Sequence, residues 1–129
     1  MTLLKEIYQL NERADFQYIA QQLVSFYRLR SKVKFGAIGN KADYDFDNDI
    51  IRLKRSYSNV KDFIVTVLHE IHHATQVKKY GRKKFLKKYT QAGDMAAFDG
   101  FNRYDKNKWE ISAENWAKQE YNRRWKNKF

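Results

Sequence analysis

Phe63-Ile64-Val65-Thr66-Val67-Leu68-His69-Glu70-Ile71-His72-His73-Ala74-Thr75 lies at the centre of this chain. Val60, Phe63, Ile64, Val67, Leu68 and Ile71 recur at helical spacing, which predicts an amphipathic helix from about Asn59 to about Lys79. Ser58 or Asn59 stands where a cap belongs, Asp62 suits the positive end of the helix dipole, and Gly81 is a natural stop. Within the helix, His69, Glu70 and His73 form H-E-x-x-H. Residues four apart lie one turn apart on the same face, so both imidazoles can reach one metal ion. Glu70 projects beside that point, where it can take a proton from a metal-bound water. Three fixed letters arise by chance in a chain this long about once in sixty. The ordinary alternative is surface or capped histidines on a core helix. Against it, two imidazoles and a carboxylate buried in so apolar a helix are costly unless something such as a metal satisfies them. His72 reads as a flanking residue, behind a ligand or at the rim of the site.

A catalytic zinc takes three protein ligands and keeps one open position. The chain has 3 His and 0 Cys. All three His lie in the motif, so the third ligand falls to an Asp, a Glu or, less readily, a Tyr. The downstream acids are Asp94, Asp99, Asp105, Glu110, Glu114 and Glu120. Glu110 and Glu114 open a helix expected from about Lys108 to Arg124 and share one face of it. One of the two can bind metal while the other hydrogen-bonds a ligand imidazole from behind. Ala113 and Ala117 leave room for close approach of two helices. Tyr104 and Tyr89 are placed along the chain to donate to a developing oxyanion, although core packing is the ordinary role of a tyrosine.

Elsewhere, Leu3–Leu10 reads as a short helix, and Asp15 to Leu29 as an amphipathic helix with Asp15 at its N-cap. Val33, Phe35 and Ala37, then Tyr44 and Phe46, then Ile50 to Leu53 predict two or three short antiparallel strands with a turn at Asp47-Asn48-Asp49. Arg82 to Lys88 reads as a short helix and residues 90–105 as loop. Asp43, Asp45, Asp47 and Asp49 fail as an EF-hand, because position 6 is Asn48 and position 12 is Lys54. They read as a solvated hairpin face.

Here a resemblance enters. The chain resembles HExxH zinc metallopeptidases of the gluzincin group, in which a downstream Glu on a helix completes the site. Glu110-Ile111-Ser112-Ala113-Glu114-Asn115-Trp116-Ala117 is similar to that group's E-x-x-A-[NDE]-x-x-A helix. Asp49 to Leu53 with Phe63 to Ala74 is similar to the strand and active-site helix of small ImmA/IrrE-like peptidases. The size is similar to minigluzincins and to phage-encoded peptidase-like proteins. The resemblance implies one zinc per chain on His69, His73 and Glu110, with Glu70 as general base and acid. Glu114 stands where many relatives carry Asp or Asn, and His72 where they carry a small or apolar residue. Metzincins and SprT-like proteases need a further His after the motif, and the chain has none left.

The chain has 129 residues, 43% of them apolar and 16% aromatic, which suits a single domain with a real core. No stretch approaches the roughly 18 apolar residues of a membrane span, and charges at Lys5 and Glu6 come too early for a secretory signal. The expected compartment is cytoplasmic. The proline-free, Lys- and Asn-rich composition fits a low-GC source, a phage among them. With 26 Lys and Arg against 15 Asp and Glu, the net charge is +11. Nucleic acid is therefore a partner to weigh, through Lys78 to Lys88 and a tail where Trp116, Tyr121 and Trp125 interleave with bases. At helical spacing those aromatics pack inward and the bases face water. The tail is a further candidate for folding over the cleft and restraining activity.

The expectation is thus an α+β, zincin-like domain spanning 1–129. It has N-terminal helices, a small antiparallel sheet, the HExxH helix and a C-terminal helix bringing the third ligand. Its expected activity is zinc-dependent peptide hydrolysis on a peptide or protein substrate, extended along an edge strand near Ile50–Lys54. The second reading is a zincin-like binding or regulatory module without robust proteolysis, associated with nucleic acid or a virion component.

Overall fold

The computed structural model describes residues 12–37, 41–102, 104 and 106–129. Four helices and a three-stranded sheet make an α+β arrangement: α1 (Glu12–Phe26), β1 (Lys32–Phe35), β2 (Ala42–Asp45), β3 (Ile50–Leu53), α2 (Val60–Tyr80), α3 (Arg82–Phe98) and α4 (Lys108–Glu120). A π-helical turn, Tyr121–Trp125, continues α4. The helix expected over Leu3–Leu10 lies outside the described residues.

α2 forms where its pattern places it. Asn59 caps it by accepting the Asp62 N–H at 2.8 Å, and Gly81, at φ 82°, ends it. One face of α2 meets α1 and the sheet. Phe16, Ile19, Leu23 and Val24 of α1, Val33, Ile51 and Leu53 of the sheet, and Phe63, Ile64, Val67, Leu68 and Ile71 of α2 share one buried cluster. Phe63 stacks on Phe16 with ring centroids 4.2 Å apart.

α1 begins a turn before its apolar pattern, so Asp15 lies inside the helix rather than at its cap. α1 also stops at Phe26, short of Leu29. Arg28 turns left-handed (φ 57°), and its N–H reaches Ser25 O while the Leu29 N–H reaches Val24 O. That paired geometry is a Schellman ending, here without glycine.

The sheet corrects the expected antiparallel arrangement. Its order is β1-β3-β2, with β2 antiparallel to β3 and β1 parallel to it. After β1 the chain turns around the end of β3 at Gly36 (φ 107°), where the Gly36 and Ala37 N–H groups donate to Leu53 O. Alternation reports that a strand exists, not which neighbour it takes. β3 is therefore central. The edge expected at Ile50–Lys54 is instead provided by β2.

The acids of the hairpin hold the hairpin itself. Asp45 accepts the Asp47 and Asn48 N–H groups, Asp49 accepts from Ser31 and Tyr44, and Asp43 pairs with Arg52 across the strands at 2.5 Å. α3 corrects a second expectation, because the helix runs through residues 90–98, which read as loop. Gly93 and Asp94 signal a break, yet Ala92, Gly93 and Ala96 form its buried side.

The tail turns back onto α1. Buried Glu120 accepts from Tyr27, Arg123 and Arg124, Tyr121 joins the core, and Trp125 packs edge-on against Phe26. Among the described residues none of the helices is long and apolar enough to cross a membrane. We predict that Phe63→Ala lowers unfolding free energy by about 3–5 kcal/mol in a denaturant titration, through the cavity it leaves. A loss below about 1 kcal/mol contradicts this core. Deleting residues after Ala117 removes Tyr121 and Trp125 and abolishes cooperative melting; an unchanged melting curve would show the tail to be dispensable.

Candidate metal centre

α2 carries His69 and His73 and packs on α4, whose buried Ala113 and Ala117 allow close approach. α4 brings Glu110 to those histidines. His69 Nε2 lies 2.9 Å from Glu110 Oε1, and His73 Nε2 also contacts Glu110 Oε1. Two imidazoles and a carboxylate thus turn their donor atoms to one point, all within 4.8 Å of one another, and all three residues are buried. This is the donor set and spacing a divalent cation takes.

The far sides of both rings are held. The Nδ1 of His69 meets Glu114 Oε2 at 2.8 Å, and that of His73 meets Gln76 Oε1 at 3.0 Å. Fixing Nδ1 on an acceptor turns Nε2 toward the shared point. Gln76 went unnoticed in the sequence, although it lies three residues after His73 and so on the same helix face. Glu110 Oε2 accepts the Tyr89 hydroxyl at 2.8 Å. Tyr89 therefore holds a carboxylate rather than facing the cleft as an oxyanion donor.

Burial alone lowers the His69 pKa, but hydrogen bonds to Glu110 and Glu114 outweigh it and leave it at about 10. Burial raises that of Glu110, yet hydrogen bonds from His69 and His73 prevail and hold it at about 2. In Glu70 burial wins and the pKa rises. Its carboxylate accepts no hydrogen bond among the described residues and lines a cleft of about 920 Å³. β2 forms one wall of this cleft through Ala42 and Asp43, and Tyr104, Glu114 and Lys118 form the other. Tyr104 is 51% exposed, so it belongs to the wall and not to the core.

His72 stays outside the cluster. It is half-buried, stacks on Trp116 at 5.0 Å, and burial lowers its pKa to about 4. Trp116, Tyr121 and Trp125 all pack against the core. Of the tail, Lys118 and Asn122 reach the cleft wall among the described residues.

His69, raised from 6.5 to about 10, stabilises fully below pH 6.5 and loses this as pH rises through about 10. Glu110, lowered from 4.5 to about 2, stabilises fully above pH 4.5 and loses this as pH falls toward about 2. Chelator-treated protein is expected to melt highest between about pH 4.5 and 6.5, with an alkaline decline that shrinks in Glu110→Gln. A melting temperature that climbs from pH 6.5 to 10 contradicts this coupling.

The chain matches no family model, no curated protein and no solved structure, so its function has to follow from the geometry of this centre.

Proposed function

We propose that the chain is a zinc-dependent metallopeptidase with a zincin-like fold. The observation that carries this reading is the buried convergence of His69 Nε2, His73 Nε2 and Glu110 Oε1 beside a cleft that Glu70 also lines. His69, His73 and Glu110 are the protein ligands, and the donor set suits zinc as the default among divalent ions. A cation held there supplies Lewis acidity, polarising the scissile carbonyl and making a water acidic.

The protein's residues do the rest. Glu70, whose pKa burial raises, is a stronger base than an exposed carboxylate. It takes the proton of the attacking water and passes it to the leaving amine. Glu114 and Gln76 keep the two imidazoles oriented. Tyr104, on the cleft wall, is the candidate donor to the oxyanion. β2 is an edge strand along the same cleft, so an extended peptide can pair with its main chain without readout of side chains.

The test is Glu70→Gln beside wild type, assayed on unfolded protein substrates with and without chelator. Hydrolysis is expected to be chelator-sensitive and to fall about 10²–10⁴-fold in the variant, with the metal retained. Absence of hydrolysis in metal-loaded wild type, or equal hydrolysis by the variant, would favour a binding or regulatory module instead.

A further inference from the structure

Glu110 has three rotatable side-chain bonds, yet it must offer one oxygen to two imidazoles. Oε1 does this, and Oε2 is occupied by the Tyr89 hydroxyl. Tyr89 lies on α3, and its ring stands edge-on to His73 and beside Phe85. Its backbone is tied to α4 by one side chain. Asn107, 0% exposed, donates its Nδ2 to Tyr89 O at 3.0 Å and accepts the Trp109 N–H on Oδ1 at 2.9 Å. The Asn107 carbonyl accepts the Glu110 N–H at 3.0 Å. A fully buried asparagine thus joins the α3 backbone at Tyr89 to the first turn of α4, three residues before the carboxylate.

We infer that Tyr89 and Asn107 are positioning residues for Glu110: the hydroxyl holds Oε2 away so that Oε1 alone faces the two histidines, and Asn107 fixes the hydroxyl's height. The inference rests on reading the cluster as a metal centre. Without the hydroxyl, Oε2 loses its donor and is free to swing toward the same point, which changes both affinity and coordination. Partners that orient a ligand in this way are commonly worth 10- to 100-fold in metal affinity, about the range expected here.

The experiment titrates cobalt(II) into the chelator-stripped 129-residue chain. It reads the visible absorption band and, by chelator competition, the affinity. Tyr89→Phe keeps the packed ring and removes the hydroxyl alone. It is expected to weaken cobalt binding about 10- to 100-fold and alter the band, while the metal-free protein melts nearly as wild type. Asn107→Ser retains a capping oxygen but is too short to reach Tyr89 O. It is expected to weaken binding too, and by less in the Tyr89→Phe background than in wild type, because both act through Oε2. Unchanged affinity and band in Tyr89→Phe overturn the inference, and full additivity overturns the part given to Asn107. Wild type that takes up no cobalt overturns the metal centre itself, a result distinct from wild type and Tyr89→Phe binding alike.

Discussion

Glu110 Oε1 sits between the Nε2 atoms of His69 and His73 at a buried point where α2 meets α4. Removing such groups from water is costly unless each is paired, so the site constrains everything around it. The two helices must approach closely, which Ala113 and Ala117 permit. The rings must not turn, which Glu114 and Gln76 prevent. The carboxylate must stay level with both nitrogens, and Tyr89 and the Asn107 cap hold it there.

The rest of the fold supports α2 through its apolar residues. α1 and the sheet cover Phe63, Val67 and Ile71, so the helix carrying the histidines is fixed by apolar packing that does not depend on the site's charges. The unusual strand order has a functional consequence. Because β1 crosses to the far side of β3, β2 is left as the edge that borders the cleft. The tail belongs to the scaffold, since Tyr121 and the Glu120 cluster clamp α4 to α1.

Much of the centre is legible in the sequence because helical spacing is geometric. His69 and His73 fall on one face by arithmetic, and the absence of any histidine outside the motif, or of any cysteine, directs the third donor to an acid. Asn59 and Gly81 announce the ends of α2 through their own backbone chemistry. Strand partners are less legible, because alternation is the same in parallel and antiparallel pairs. α3 is longer than it reads, since Gly93 and Asp94 suggest a break that packing overrides. The supports of Glu110 are hidden for another reason. Tyr89 meets it through a long-range hydrogen bond and Asn107 reaches Tyr89 through another, and an asparagine before a helix announces a cap but not a second bond to a neighbouring helix.

The buried cluster of His69, His73 and Glu110 is proposed to hold one divalent ion. Elemental analysis of the purified chain, beside His73→Ala and Glu110→Ala, tests it most directly. About one zinc per chain in wild type, lost or much reduced in both variants that remain folded, is the predicted result. Wild type with no metal even after addition of zinc, or variants that retain the full complement, would contradict it.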